Sequence, residues 1–340
     1  MGVHLAPLIV KKSIQLNYLS NRVIAIDAFN MLYQFLSNIR QADGTPLMDS
    51  KGRVTSHLSG LFYRTINLLE LNIKPVFVFD GKPPEEKEKE KALREARKQE
   101  ARKRLEEARA RESVEEMAKY AKQTTKLSNE MVEEAKKLIL ALGLPVVQAK
   151  AEGEAQAAYL VAKNQAYAVA SQDYDALLYG APRLVQNLTL ARKRKLASGK
   201  QVEIQPELIE LHDVLKHLDL NHEQFICLGL LIGTDFNPGG IKGIGPKKAL
   251  QIVKGKTREQ VWKEIKEWIS KEEWENLFAL FDKPSINLKY SIEFKEINKE
   301  KINKLLVQEH DFSAERIENA LLKLEKAREK QKQQGLSKWI

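Results

Sequence analysis

Seven carboxylates stand where they could share one chemistry: Asp27, Asp80, Glu152, Glu154, Asp173, Asp175 and Asp235. Two tight pairs, Glu152/Glu154 and Asp173/Asp175, bracket the stretch AEGEAQAAYLVAKNQAYAVASQDYD. Between them run a small-residue helical pattern over 155–162 and a short apolar run over 166–170 that reads as a strand. A strand that delivers carboxylates at its C-terminal end is the usual place for a site in an open α/β sheet. Glu152 and Glu154 open the intervening helix, where the macrodipole favours negative charge. Taken by themselves, these residues read equally as two helix-cap acids and two turn acids. No His or Cys accompanies the set, which argues against soft-metal chemistry. All-oxygen donors suit Mg²⁺, with Mn²⁺ as a substitute. Two such ions roughly 3.5–4 Å apart would stabilise the attacking and leaving oxygens of phosphodiester hydrolysis. A nearby Lys or Arg would neutralise charge developing on the phosphate.

The acids need elements to position them. An apolar strand over 22–26 ends at Asp27, and a helix follows with Met31, Leu32, Phe35, Leu36 and Ile39 at helical spacing. The turn-rich segment 43–52 reads as a loop or hairpin. A second amphipathic helix covers 57–71, and the strand KPVFVF then reaches Asp80-Gly81. A further helix is expected over 127–142, capped at Gly143, with a strand at 145–147. Later strands are expected at Val185 and at 188–190. A helical pattern is expected from Pro206 through 225–232 to Thr234-Asp235. Residues 257–330 read as amphipathic helices, with Trp262, Trp268 and Trp274 in the packing. Continuous apolar strands alternating with helices argue for a parallel sheet covered on both faces. Three strand ends, near Asp27, Asp80 and Asp173, would then present acid at one edge.

The chain of 340 residues carries a formal charge of +10 and a pI of about 9.3. That balance favours a polyanionic partner, a nucleic acid or a membrane surface. Mean hydropathy is −0.42, and no apolar run approaches the roughly 20 residues of a membrane span. The start lacks a charged n-region, so export is not expected. Ala6 stands where a myristoylation site needs Ser or Thr. Cys227 is the only cysteine, which excludes a disulfide framework and reads as a buried small hydrophobe. Over 82–111 apolar residues nearly vanish. Pairs such as Glu85/Lys89 and Glu90/Arg94 fall at i,i+4. This run reads either as a solvated, salt-bridged helix or as a lid whose cations meet a phosphodiester. The stretch GIKGIGPKKAL at 240–250 has the pattern of a helix-hairpin-helix turn. The free N–H groups of the following helix, with Lys247 and Lys248 beside them, suit phosphate without regard to sequence. The end, QKQQGLSKWI, is polar and then abruptly apolar, as in a peptide that docks in a partner's groove.

In this order, VIAIDA, FDGKPP, AEGEAQAA, QDYD, GTDF and GIGPKKA resemble the flap endonucleases among the XPG-like structure-specific nucleases. The resemblance covers almost the whole chain, and the compact length points to the archaeal branch. It implies an α/β fold with a twisted, mostly parallel central sheet flanked by helices, a helical arch and a helix–two-turn–helix DNA-binding element. The implied organisation is an N-terminal nuclease region (1–98), an arch (82–126), an internal nuclease region (116–260), C-terminal helices (261–326) and a flexible tail (327–340). It implies that the seven acids bind metal, directly or through water. Lys87 and Arg94 would contact the scissile phosphate as electrophilic stabilisers. Tyr33 would stack on an unpaired base and Arg40 would contact DNA nearby. Gly2, at a processed N-terminus, and Gly243, Gly245, Lys247 and Lys248, in the hairpin turn, complete the DNA contacts. Gln333, Leu336, Trp339 and Ile340 fit a motif that docks on a PCNA-type sliding clamp, with Ile departing from the commoner second aromatic. The stretch from Asp311 resembles the region near the family's pocket for a one-nucleotide 3′ flap. The implied activity is Mg²⁺-dependent 5′ flap cleavage near a single-strand/duplex junction, leaving a 5′-phosphate, with 5′→3′ exonuclease activity alongside. Its setting would be Okazaki-fragment maturation and base excision repair. The protein would be a monomer when free, cytoplasmic and nucleoid-associated, or nuclear in a eukaryote. The alternative is a non-catalytic junction scaffold that recruits the clamp.

Overall fold

In the computed structural model of the chain, residues 3–82, 88–111, 116, 120–121, 124–189, 193–195 and 201–336 are described. The description is of backbone alone at 88–94, 109–110, 193–195, 201–203 and 332–336. The fold begins with a two-residue strand β1 (Lys12–Ser13) and the apolar strand β2 (Val23–Asp27). Helices α1 (Ala28–Asn38) and α2 (Ser56–Glu70) lead to strand β3 (Lys74–Phe79). Between α1 and α2 the chain forms two isolated antiparallel bridges, Arg40 with Pro46 and Met48 with Val54, so the turn-rich segment is hairpin-like. The charged run forms the long helix α3 (Glu88–Ala110). Helix α4 (Asn129–Ala141), strand β4 (Val146–Gln148), helix α5 (Gly153–Ala162) and strand β5 (Ala168–Ala170) follow, then the one-turn helix α6 (Asp175–Leu178) and strand β6 (Arg183–Gln186).

Strands β7 (Lys193–Lys195) and β8 (Gln201–Glu203) pair with each other in a separate ribbon. Strand β9 (Glu207–Glu210) returns to the main sheet, whose order is β1-β9-β6-β5-β2-β3-β4. The block β6-β5-β2-β3-β4 is parallel, and β9 joins it antiparallel to β6. From β2 the chain first builds outward through β3 and β4, then crosses back to lay β5 on the other side of β2. The switch point therefore lies between β2 and β5, where Ile26 pairs with Ala170. Open α/β sheets bind their ligands outside the carboxyl ends of the strands at such a point.

Both faces of the sheet are covered, as the continuous apolar strands demand. Ala25, Val76 and Val78 face one core, with α5, α6, α8 (His222–Ile232) and α11 (Lys271–Asp282). Ile24, Ile26, Phe77 and Phe79 face the other, with α1, α2, α4 and α13 (Ala314–Leu336). Helix α7 (Leu211–Leu218) precedes α8. Helices α9 (Pro246–Val253) and α10 (Arg258–Ile265) precede α11, and the short α12 (Lys299–Ile302) opens the C-terminal part.

Four expectations are corrected. Residues 188–189 form a turn, not a strand: β6 stops at Gln186, and Asn187 takes a left-handed φ of 62° that no strand continues. After Pro206 the chain is first a strand: Glu-Leu-Ile-Glu pairs antiparallel with β6 and buries Leu208 in one core and Ile209 in the other, as successive residues of a pleated strand do. The C-terminal part is not helical throughout: 284–297 has no helix or strand. There the backbone is held from outside instead. The Asn287 N–H donates to Gln156 Oε1 (2.8 Å) while Gln156 Nε2 donates to the Asn287 carbonyl (3.1 Å). The Lys295 N–H donates to the Gly143 carbonyl (2.7 Å). Finally, only Trp274 is fully buried; Trp262 is half-buried and Trp268 is 56% exposed. Cys227 is buried as expected, which pushes its thiol up to about 12. The C-terminal helix runs on to Leu336, through residues 327–336 of the segment expected to be a flexible tail.

Candidate active site at the acidic strand ends

The parallel strands converge their acids as their ends predict. Asp27 is the last residue of β2 and caps α1, accepting the Asn30 backbone N–H at Oδ1 (3.0 Å). Asp80 follows β3 directly, and its Oδ1 accepts the Gly153 N–H (2.6 Å). That bond brings Asp80 to the start of α5, between Glu152 and Glu154. A Cβ at Gly153 would sit 2.6 Å from the same oxygen, so the approach requires glycine. Asp173 accepts the Asn30 side-chain amide at Oδ2 (2.9 Å), and Asp175 accepts the Val3 N–H at Oδ1 (2.9 Å). Ser171 stands at the centre. Its Oγ lies 2.9 Å from Glu154 Oε1 and 3.3 Å from Asp27 Oδ2. A hydroxyl has one proton to donate, so two carboxylates crowd about a single donor.

The electrostatics agree. Burial, then the charge of Asp80, pushes the Asp27 carboxyl up to about 8. Glu154 is raised well above the usual range by burial first, then by Asp175, Asp27 and Asp173. The Tyr179 phenol is raised by burial and by Glu152, Asp175, Glu154 and Asp235 in turn. Asp27, Asp80, Glu154, Asp173 and Asp175 thus act on one another, and Glu152 and Asp235 join them through the Tyr179 phenol. The set is all oxygen, crowded and short of positive charge, which fits hard divalent cations. Among the described residues no group of three or more His, Cys, Asp or Glu side chains is set to hold a metal ion as it stands. A cage of that kind is not required of Mg²⁺, which keeps several waters and binds through one or two carboxylates.

The donors that orient these acids escaped the sequence reading: Asn30, Ser171, Gly153 and the Val3 amide. Their one visible trace is proximity. Ser171 stands two residues before Asp173, and Gly153 lies inside the Glu152/Glu154 pair. Nothing local marks Asn30.

The other expected residues lie around this edge. Tyr33 is 37% exposed on α1, with Lys98 of α3 6.0 Å from its ring centre; it is not a core aromatic. Arg40 spends its guanidinium inside the protein, donating to the carbonyls of Leu36 and Gly44 (both 2.8 Å) and to Thr125 Oγ1 (2.9 Å). The hairpin turn between α8 and α9 has the expected form. Gly243 takes φ +80°, Gly245 caps α9 and Pro246 is its first residue. Ile244 and Ala249 are buried while Lys247 and Lys248 are exposed. Gly2, Lys87, Trp339 and Ile340 lie outside the described residues, as do the side chains of Arg94, Gln333 and Leu336.

Comparison with known proteins gives one answer at every level. The XPG N-terminal domain matches residues 1–101 and the XPG I-region matches 143–235. Flap endonuclease 1 of Pyrococcus abyssi is 53% identical, aligned over the whole of this chain and 98% of its own. That of Staphylothermus marinus is 52% identical over the full length of both. Among solved structures, the flap endonuclease-1 from Methanococcus jannaschii superposes with a TM-score of 0.76 at 42% identity, covering 96% of this chain and 98% of that one. The catalytic core of Rad2 in complex with a DNA substrate has the same fold, with a TM-score of 0.67 at 21% identity over 95% of this chain and all of that one.

Proposed function

We propose a function from the family to which this chain belongs, the flap endonucleases: it is a structure-specific nuclease that cuts 5′ flaps near the single-strand/duplex junction. The observation that carries the reading is the convergence of Asp27, Asp80, Glu154, Asp173 and Asp175 at the switch point, with Asn30, Ser171 and Gly153 holding their oxygens. The seven acids would hold two Mg²⁺ ions, with Mn²⁺ as a substitute. Bound there, the ions would supply Lewis acidity to the scissile phosphodiester.

The chain's own residues do the rest. Asn30 fixes Asp173 against α1, and the Gly153 amide fixes Asp80 against α5. Ser171 keeps Asp27 and Glu154 at one distance. Preorganised oxygens of this kind need no rearrangement when charge develops. Lys87 and Arg94 would meet the phosphate from the arch, and Tyr33 would stack on an unpaired base, worth roughly 1–3 kcal/mol. The α9 turn, with Gly243, Gly245, Lys247 and Lys248, would grip the duplex backbone. The products would be a 5′-phosphate and a 3′-hydroxyl. The residue ranges anticipated for nuclease core, arch, C-terminal helices and tail serve as a working division. The C-terminal motif Gln333, Leu336, Trp339 and Ile340 would dock on a PCNA-type sliding clamp, placing the enzyme in Okazaki-fragment maturation and base excision repair. Among the described residues no helix is long and apolar enough to cross a membrane.

Single-turnover cleavage of a 5′-labelled flap duplex tests the reading. Release of the flap in Mg²⁺, abolished by EDTA and by Asp173→Ala with duplex binding kept, is the expected result. An intact flap with wild-type protein in Mg²⁺ would falsify it.

A further inference from the structure

Six of the predicted acids come from the sheet or from the helix starts beside it. Asp235 does not: it follows α8, in a loop whose own bonds are local. Thr234 donates through its N–H and Oγ1 to Asn237 Oδ1 (3.0 and 2.7 Å), and Asn237 Nδ2 donates to the Leu230 carbonyl (2.7 Å). These bonds shape the loop locally. An aromatic contact ties it towards the strand ends. The Phe236 ring meets Phe281 edge-on at 5.4 Å, and Phe281 meets Tyr179 at 4.9 Å with the rings tilted by 35°. Tyr179 caps α6, and its N–H donates to the Asp175 carbonyl (3.1 Å). So the neighbour of Asp235 reaches the helix of Asp175 through one ring on α11, an element that carries none of the seven acids.

The setting makes that ring consequential. A cavity of about 440 Å³ opens beside it, lined by Glu152, Tyr179, Phe236 and Lys283. Packing therefore does not fill every side of the Tyr179 and Phe236 rings, and removing the Phe281 ring between them leaves both room to relax. Aromatic pairs at these separations are stabilised beyond their burial, by the match of ring edge to ring face.

We propose that Phe281 is a positioning residue for the metal-binding edge: stacked between Phe236 and Tyr179, it sets the separation of Asp235 from Glu152 and Asp175. This rests on the reading of that edge as a divalent-metal site. Phe281 touches no substrate; it acts through Phe236. Losing its ring lets Asp235 drift outward and weakens metal binding before it weakens DNA binding.

Mn²⁺ binding to the full chain without DNA, followed by electron paramagnetic resonance, tests this independently of cleavage. Phe281→Leu should weaken Mn²⁺ binding at least fivefold while thermal unfolding stays cooperative. Phe236→Leu should do the same, and the double variant should lie within twofold of either single, because both break one aromatic relay. In single-turnover cleavage, Phe281→Leu should need severalfold more Mg²⁺ for half-maximal rate, recover near wild-type rate at saturating Mg²⁺, and keep its half-saturating flap concentration. Phe281→Met, which keeps the volume, decides the matter should the Leu variant not fold. Unchanged Mn²⁺ binding in a folded variant, or effects of the two leucines that multiply, overturns the proposal while leaving the nuclease reading intact. Wild-type protein that shows the Mn²⁺ pattern but leaves flaps uncut overturns the nuclease reading and keeps Phe281 as a positioning residue. Wild-type protein that binds no Mn²⁺ overturns both.

Discussion

Asn30 does two jobs within one side chain's reach. Its backbone N–H donates to the capping Asp27 and its side-chain amide donates to Asp173, so a single residue couples the two strands that flank the switch point. Gln34 Nε2 in turn donates to Asn30 Oδ1 (2.6 Å), which fixes the amide's orientation. Asn30→Ala should lower the single-turnover rate about 10–100-fold, the usual cost of losing a partner that orients a metal ligand. Flap-duplex affinity, read by anisotropy in Ca²⁺, should hardly move. Gly153→Ala is the harsher change, because its Cβ and Asp80 Oδ1 cannot both keep their places. It should raise the Mg²⁺ needed for half-maximal cleavage, and equal Mg²⁺ dependence in the two proteins would show that Asp80 tolerates displacement. The acids were legible in the sequence because two tight acidic pairs and aspartates at the ends of apolar strands are conspicuous. Their donors were not. Asn30 and Asp173 are 143 residues apart in the chain, and a lone Asn on a helix carries no mark of the partner it will meet.

Elements far from the acids are joined by a chain of carboxylates, histidines and Arg53. Asp49 in the hairpin-like segment accepts from Arg53 Nε (2.7 Å) and lies 3.0 Å from His310 Nδ1. His310 Nε2 stands 3.2 Å from Glu134 of α4, whose other oxygen is 3.1 Å from His57 Nε2 on α2. Arg53 also reaches the Glu309 carbonyl. Burial alone would raise the Asp49 carboxyl, but bonds from the Arg53 backbone, His310 and the Arg53 side chain outweigh it and bring it down to about 2. An unfolded Asp titrates near 3.9. A carboxyl lowered by folding stabilises fully above that value and loses its contribution as pH falls toward 2. Urea midpoints should therefore drop between about pH 4 and 2 in the wild type and stay flatter in Asp49→Asn. A parallel acid limb in the two proteins would assign the loss elsewhere. His310→Ala, which leaves buried acceptors without their donor, should cost about 1–3 kcal/mol at neutral pH. Elements with a strong period were readable in the sequence: β2, β3, α1, α2 and α4 lie within a residue or two of their expected bounds. The strand at 207–210 and the irregular 284–297 were not. A four-residue strand with two adjacent apolar positions is too short to show a period beside the helix that follows it, and a backbone fixed by Gln156 and Gly143 has no period at all.

At the scale of the whole molecule, a basic chain encloses an acidic edge. The net charge of +10 draws a polyanion that the seven acids alone would repel. The exposed Lys247 and Lys248 at the start of α9 concentrate that attraction where free helix N–H groups point outward. Duplex affinity should fall steeply with salt, and replacing both lysines by alanine should reduce the slope of log affinity against log salt by about 1 for each phosphate left unneutralised. A slope unchanged between 50 and 200 mM salt would place the duplex elsewhere. The strap at 284–297 bears on a different experiment, digestion. It carries Lys289 and Lys295, both exposed, in a stretch without helix or strand, where trypsin would ordinarily cut. Yet a protease must pull roughly a dozen residues of backbone into its cleft, and here Asn287, Tyr290, Lys295 and Asn298 are each bonded to residues 125 or more positions away. Under native conditions the strap should therefore outlast the exposed basic sites of α3, so that early fragments end in the arch, and the C-terminal helices come away only when the protein unfolds as a whole.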